Sequence, residues 1–306
     1  MQKGRAVHYR PMGERRFLER MRRVLIDAVV AGASQILDVR GDVLNIRRYK
    51  ANRELVTLAD ERSDAAMTAV FAERLARVAP GVGWHLEESG RRHSVDAAAW
   101  VGGDPLDGTQ PFASGGTQYC VQAHYLEGGV PLVGVIFQPE VHLPLNGRSG
   151  AIGRLVWAIR GVGASVQRST YRRRSFTLVR SRAIAVRPRR PPRALTACVS
   201  IGVKMTPDER GRAIRLLSDP IVGATAGTGS AGGNILMAVF GGLDLYVNFG
   251  AGNELDIAPG QVIAQEVGLA VRTVGRCPPV WDRWKQPVVV APSAALADRV
   301  LRIGGL

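Results

Sequence analysis

Six carboxylates and one threonine stand where they could do chemistry. The most informative run is Trp100-Val-Gly-Gly-Asp104-Pro-Leu-Asp107-Gly108-Thr109. Two carboxylates three residues apart on a turn can face one point, which is how a chain offers oxygen ligands to a hard divalent cation. Gly108 and Thr109 follow with backbone N–H groups of the kind that cradle a phosphate where a helix begins. A cation held by acids beside an anion cradle serves phosphoryl chemistry. Asp-Pro and Asp-Gly are also ordinary turn formers, so the run must be read with its surroundings. Asp60 closes Leu55-Val-Thr-Leu-Ala-Asp60 at the start of a helical stretch, and Glu87-Glu88-Ser89 ends a strand-like one. Asp256 lies in Asn253-Glu-Leu-Asp-Ile-Ala-Pro-Gly260, where a long helix opens. Each also has a plain structural role: Asp caps helices and favours the positive end of the dipole, and paired Glu suits a solvated face.

These residues need elements to hold them. Leu18, Met21, Val24, Leu25, Ala28 and Val29 recur at helical spacing and predict a helix over about 14–39. A second helix is expected over about 61–79, ended by Pro80-Gly81. Strand-like segments near 118–127, 131–138 and 154–160 are separated by turn residues and suggest antiparallel pairing. Further on, apolar runs at 195–201, 221–224, 243–247 and 287–291 alternate with helical stretches at about 207–218, 230–241, 255–267 and 293–302. The expected organisation is an α+β subdomain over 1–165, an Arg-rich connector over 166–193, and an α/β subdomain over 194–306.

Composition narrows the function classes. The chain has 306 residues, 46% apolar and 22% charged, which excludes disorder, and no apolar run reaches the length of a membrane span. Asp27 interrupts an N-terminal stretch that superficially resembles a signal peptide, so a cytoplasmic protein is expected. The net charge of +15 is concentrated: residues 168–193 hold 10 Arg and no acid, and residues 1–23 hold 8 basic residues against 2 acidic. The Arg-rich segment is read first as a solvated connector and second as a rim drawing anionic substrate to the site. Nucleic-acid binding, with Tyr171 and Phe176 stacking on bases, ranks last because no nucleic-acid-binding motif accompanies it. Cys120, Cys198 and Cys277 lack any CxxC spacing and read as small buried hydrophobes. His8, His85, His93, His124 and His142 form no zinc or triad pattern. Gly227 to Asn234 is glycine-rich but lacks the Lys-Ser/Thr ending of a P-loop. Lys50 reads as a solvated lysine, with a mobile-loop cation near the metals as the sharper alternative.

The order of these pieces resembles the inositol monophosphatase-like family of metal-dependent, Li⁺-sensitive phosphatases, which includes bisphosphate nucleotidases and one type of fructose-1,6-bisphosphatase. The matching pieces are Leu55 to Asp60, Glu87 to Ser89, Asp104 to Thr109, Val133 to Glu140, Trp157 to Ala164 and Leu255 to Gly268, collinear over most of the chain. The resemblance implies a layered αβαβα sandwich of the sugar-phosphatase type, a homodimer, and a small phosphorylated polyol, sugar or nucleotide as substrate. It implies that Glu87, Asp104 and the carbonyl of Leu106 hold one Mg²⁺, and Asp104, Asp107 and Asp256 a second. Glu87 and Asp60 would complete a weaker third site, and Thr109 paired with Asp60 would orient or deprotonate the attacking water. Gly108 and Thr109 amides would hold the phosphate, with Ser230, Ala231 and Asn248 on the leaving-group side, where Ser230 could equally be a helix cap. The chain departs from the family pattern at four places. Trp100 stands one residue further from Asp104, Leu86 replaces a Gly, Leu255 replaces a Trp, and Asn248 replaces a sugar-binding Glu. A bisphosphate nucleotidase is the runner-up, and a non-catalytic phosphometabolite- or nucleic-acid-binding relative is the alternative outside the enzyme class.

Overall fold

A computed structural model describes residues 12–41, 47–50, 55–92, 98–142, 152–185, 194–202, 204–250, 252–275, 279–281 and 285–306. His8, His93 and Cys277 lie outside them. The chain opens with helix α1 (Met12–Val39) and a small ribbon, β1 (Arg47–Tyr49) with β2 (Leu55–Thr57). Next comes α2 (Leu58–Val70), which runs through a π-helical turn (Phe71–Leu75) into the short α3 (Ala76–Val78). Strands β3 (Gly83–Leu86), β4 (Gly90–Arg92) and β5 (Ala99–Asp107) lead to the five-residue α4 (Thr109–Ala113). β6 (Cys120–Glu127), β7 (Val130–His142), β8 (Ile152–Ile159), β9 (Gly163–Arg172), β10 (Ser175–Leu178) and β11 (Arg182–Ala183) complete a nine-stranded sheet. Its strands are antiparallel apart from β3 beside β5.

The second half alternates strand and helix, except that its last two strands follow one another with no helix among the described residues between them. β12 (Leu195–Ser200), α5 (Pro207–Leu217), β13 (Val222–Thr225), α6 (Ala231–Phe240) and β14 (Leu245–Asn248) are followed by α7 (Glu254–Glu266), β15 (Ala270–Arg272), β16 (Val288–Ala291) and α8 (Ala294–Ile303). Their strands form one mixed sheet in the order β13-β12-β14-β16-β15.

Three hydrophobic cores explain why these elements stack as five layers. The first joins α1 and α2, through Leu25, Ile36, Met67 and Phe71, to one face of the large sheet at Val121, Val135 and Phe137. On the other face, Ile136 and Val156 meet Ile235 and Leu236 of α6 and Ile257 and Ile263 of α7, which also reach Tyr246 and Val290 of the small sheet. The third core places α5 and α8 on the outer face of that sheet, through Leu216 and Val300 against Leu245 and Val289. The αβαβα sandwich is therefore helix pair, sheet, helix pair, sheet, helix pair, each layer burying the apolar stripe of the next.

The Arg-rich stretch corrects the sequence reading. Within 166–185 it is largely strand, the end of β9, β10 and β11, on the edge of the large sheet; residues 186–193 lie outside the described residues. On β9 the exposed Arg168 and Arg172 alternate with the buried Ser169, and the edge strands β10 and β11 that pair with it are also largely exposed, so composition alone imitates a polar connector. We propose that the first subdomain extends at least to residue 183. Its hairpin tip holds Arg173 and Arg174 at φ 51° and 62°, a left-handed pair that side chains other than Gly and Asn rarely adopt.

Candidate metal and phosphate site

Helix α2 positions much of the site from one face. Its N-cap is Thr57, and Asp60 at the third position accepts hydrogen bonds from the Thr57 backbone (2.8 Å) and hydroxyl (2.6 Å). The other oxygen of Asp60 accepts from Thr109 Oγ1 at 2.9 Å. One turn further along, Ser63 donates to the Pro105 carbonyl at 2.7 Å, and Asp64 accepts from the Ser89 amide at 3.0 Å. The acidic turn after β3 and the turn after Asp104 are thus both pinned to α2. Asp64 was not singled out by sequence reasoning, although its i,i+4 relation to Asp60 placed it on the same face.

Glu87, Asp104 and Asp256 come together as three carboxylates whose ligand oxygens all lie within 4.8 Å of one another. They arrive from the turn after β3, the end of β5 and the first turn of α7. Asp104 Oδ1 accepts the Leu106 amide (2.8 Å), and Asp256 Oδ2 accepts the Asn253 amide (2.7 Å), which fixes each side chain to its own turn. Asp107 is buried beside them but faces elsewhere. Its carboxylate accepts from Ser230 Oγ (2.8 Å), the Ala231 amide (2.9 Å), the Gly232 amide (2.6 Å) and, more weakly, Cys120 Sγ (3.3 Å). Ser230 and Ala231 are therefore engaged with Asp107, and Ser230 also caps α6 through Gly233 N (2.9 Å). Asn248, too, is used internally: its Oδ1 accepts from the Gly250 and Gly252 amides (2.9 and 3.2 Å).

The electrostatics follow from burial. Asp104 is pushed well above the ordinary carboxylate range by burial first, then by Glu87, Asp107 and Asp256. Asp256 is raised well above it too, by burial and then by Glu87 and Asp107. Asp107 is raised by burial, against the hydrogen bonds of Ser230 and α6. Buried acids that repel one another are costly unless a cation neutralises them, and oxygen-only donors in this number suit Mg²⁺. Lys50 supplies part of that compensation. Its ammonium lies 2.5 Å from Glu88 and 3.8 Å from Glu87, so it is a site lysine and not a solvated one.

Asp60 is raised from 3.8 to about 6, mainly by burial, with Thr57 and Thr109 opposing. The folded chain holds this proton over a range where the unfolded chain has released it. The stabilisation is full below about pH 4 and is lost as the pH rises through about 6, a swing of roughly 3 kcal/mol for this group. Asp104 and Asp256 act in the same direction. The melting temperature of protein in EDTA is therefore expected to fall between pH 4.5 and 7, and Mg²⁺ to restore more of it at the upper end. Calorimetric scans with and without Mg²⁺ check this; a flat EDTA profile would contradict it.

The extra residue before Asp104 leaves the strand intact. β5 pairs in regular register from Trp100 to Gly103 with β3 and from Ala99 to Asp104 with β6, and the irregularity falls only between Asp104 and Asp107. Its effect is to place Trp100 on the same face as Asp104. There the indole Nε1 donates to Glu254 of α7 at 2.9 Å, and His124 Nε2 lies 2.8 Å from the same oxygen. Gly102 is required at this point, because a Cβ there would collide with the His124 ring. Burial would raise the Glu254 pKa, but hydrogen bonding and charge from His124 outweigh it and hold it below its ordinary value. Trp100 thus brings an aromatic ring to the β5–α7 contact, where Leu255 stands in place of the family's Trp. No spacing in the sequence links residues 124 and 254, so this cluster was not foreseen.

A cleft of about 760 Å³ opens above these groups. Glu87, Asp104, Asp107, Thr109 and Asp256 line one side, and the C-terminal ends of β12 and β14 with the start of α6 line the other. Thr109 is the first residue of α4, whose N-cap Gly108 has φ 100°, so its amide has no partner inside the helix.

This arrangement has known counterparts. Over 116 residues the chain is 33% identical to an inositol-1-monophosphatase of Synechocystis, covering 38% of this chain and 39% of that one. Over 137 residues it is 31% identical to a histidinol-phosphatase of Mycobacterium tuberculosis, covering 45% and 47%. The aligned stretches thus span less than half of either relative's length. In structure it is similar to an inositol monophosphatase from Anabaena (TM-score 0.67, 20% identity, 94% and 95% covered). It is also similar to an IMPase/NADP phosphatase solved with Mg²⁺ and phosphate (TM-score 0.61, 19% identity, 88% and 90% covered). The family model described as the inositol monophosphatase family matches residues 18–303, nearly the whole chain, and the chain belongs to that family.

Proposed function

We propose that the protein is a Mg²⁺-dependent phosphomonoesterase acting on a small phosphorylated polyol, sugar or nucleotide. The observation that carries this reading is the convergence of Glu87, Asp104 and Asp256 beside the Thr109–Asp60 pair at one wall of the cleft. Mg²⁺ bound by these acids, with Asp107 and the Leu106 carbonyl adjoining, supplies charge neutralisation and Lewis-acid activation of water and phosphate. Thr109 donates its hydroxyl proton to Asp60, which leaves the Thr109 oxygen free to accept a proton from a water in the cleft. A carboxylate poised near pH 6 is suited to drawing that proton away at neutral pH. The Gly108 and Thr109 amides hold the phosphate. The relative solved with Mg²⁺ and phosphate supports the choice of ion.

The opposite wall speaks to the leaving group. Among the described residues lining it there is no Lys, Arg, His, Asp or Glu outside the metal cluster; it consists of groups such as Ala197, Cys198, Ser200, Ala226, Gly227 and Tyr246. Lys204 lies near enough to Asp256 to draw its pKa down but is not part of the lining. A second phosphate would therefore meet no cation in the wall itself, which supports ranking the bisphosphate nucleotidase second. An uncharged alcohol, as in a polyol, sugar or nucleoside, fits best. Asn248 lines the cleft, but its Oδ1 is engaged with its own loop, which argues against its taking over the sugar contact of the family's Glu.

Phosphate release from a panel of inositol, sugar, nucleoside and histidinol monophosphates and of bisphosphates, with Mg²⁺ and with EDTA, tests the proposal. Turnover of a neutral-alcohol monophosphate only with Mg²⁺, about tenfold or more above any bisphosphate, is expected. No release from any substrate, with Mg²⁺ bound, would support the non-catalytic alternative instead. The proposal includes a cytoplasmic homodimer, for which light scattering should give twice the chain mass.

A further inference from the structure

A second concentration of charge lies away from the cleft. Arg154, Arg168, Arg180 and Arg182, with Val166 and the exposed ring of Phe240, line a recess of about 370 Å³ that contains no acid. Phe240 ends α6, whereas the metal site adjoins its first turn; ten residues put the two about 15 Å apart along the helix. The recess and the cleft share no lining residue, so Arg168, Arg180 and Arg182 of the Arg-rich segment do not rim the metal site; Arg187, Arg189, Arg190 and Arg193 lie outside the described residues.

Arg154 is the informative member. Its guanidinium stacks 4.5 Å from the Phe240 ring, and its Nε and a terminal nitrogen both donate to Gln138 Oε1 at 3.1 and 2.7 Å. Both partners are neutral. Burial pushes Arg154 below its ordinary value, and no neighbouring acid opposes the shift. Among the described residues, no carboxylate forms an ion pair with any of the four arginines within 4.0 Å. A part-buried cation carries a desolvation cost that Gln138 and Phe240 offset only in part, and no counter-charge in the described chain meets the rest. A bound anion would offset it. An adjoining recess, also of about 370 Å³, shares Val166, Arg182 and Phe240 and continues over the aliphatic side chains of Ile184, Val239 and Val267, with polar backbone exposed between them.

We propose that the joined recess binds a small oligophosphate attached to an apolar or aromatic body, the chemical class of nucleoside di- and triphosphates. Arginine forks match phosphate oxygens, and Phe240 with the adjoining aliphatic groups takes the body. Inorganic phosphate alone would leave the apolar half unused. A second copy of the chain is a poor occupant, because an isologous contact sets the arginines against their own copies.

Calorimetric titration of ATP into the full chain, in EDTA and low salt, reads this site alone, because the metal-free acidic cleft repels anions. One saturable site is expected, with tripolyphosphate binding about tenfold more weakly. Arg168→Gln/Arg180→Gln, at two exposed positions, should lose affinity for both probes by roughly tenfold or more with an unchanged melting temperature. Phe240→Ala should weaken ATP and leave tripolyphosphate as it was. Absence of saturable ATP binding, or wild-type affinity in the double variant, would overturn the proposal. So would salt-sensitive binding of a single-stranded RNA that replaces ATP binding and is lost in the double variant, which would mark a nucleic-acid track.

Discussion

Asp104→Asn is expected to lower phosphate release by about a thousandfold or more and to remove most of the Mg²⁺ affinity seen by calorimetry. Asp104 is the acid on which the others converge, with repulsion from Glu87, Asp107 and Asp256 all acting on its carboxyl. Asparagine keeps an oxygen for the Leu106 amide, so the turn that Asp104 stabilises survives. Its charge does not. The variant in EDTA should therefore melt at a higher temperature than the wild type, because one of several mutually repelling buried charges is gone. Added Mg²⁺ should then raise its melting temperature little. Retention of turnover together with wild-type Mg²⁺ affinity would show that the acids do not form a metal site.

Thr109→Val tests the other half of the chemistry. Removing the hydroxyl breaks the path from the cleft to Asp60 while preserving shape, and kcat is expected to fall by about 10²- to 10⁴-fold. Mg²⁺ affinity should stay close to wild type, because Thr109 is outside the carboxylate cluster. Thr109→Ser should recover most of the rate, which a purely structural role for the side chain would not require. A Val variant within about threefold of wild type would remove Thr109 and Asp60 from the proton path.

The carboxylates of this cleft were legible because they sit on short turns whose residue types are dictated locally. Asp60, Asp104 and Asp256 each begin or end an element where a carboxylate accepts a nearby backbone amide, and Gly108 takes a conformation that favours glycine. The helical stripe of α1 and the strand–helix alternation after residue 194 likewise follow from period alone. What stayed hidden depends on pairing across the fold. His124 with Glu254, and Asp107 with the start of α6, are separated by more than a hundred residues and become neighbours only when α6 and α7 lie on the large sheet. Lys50 was misread because its partners lie nearly forty residues away. The Arg-rich strands were misread because edge strands with charged outward faces carry the composition of loops.

The placement of Asp256 on α7 has a consequence for how the protein is made. Glu87, Asp104 and Asp107 belong to the large sheet, whereas Asp256 and the amides that grip Asp107 come from helices that cover its other face. During synthesis at roughly 5–20 residues per second, about 150 residues separate Asp107 from Asp256, so the acids of the first half wait roughly 7–30 s for their partner. A nascent chain that lacks α7 holds every proposed ligand but Asp256, and cannot complete the cluster. On the proposed function, competence for Mg²⁺ arrives late, as a marker that the second half has emerged and docked.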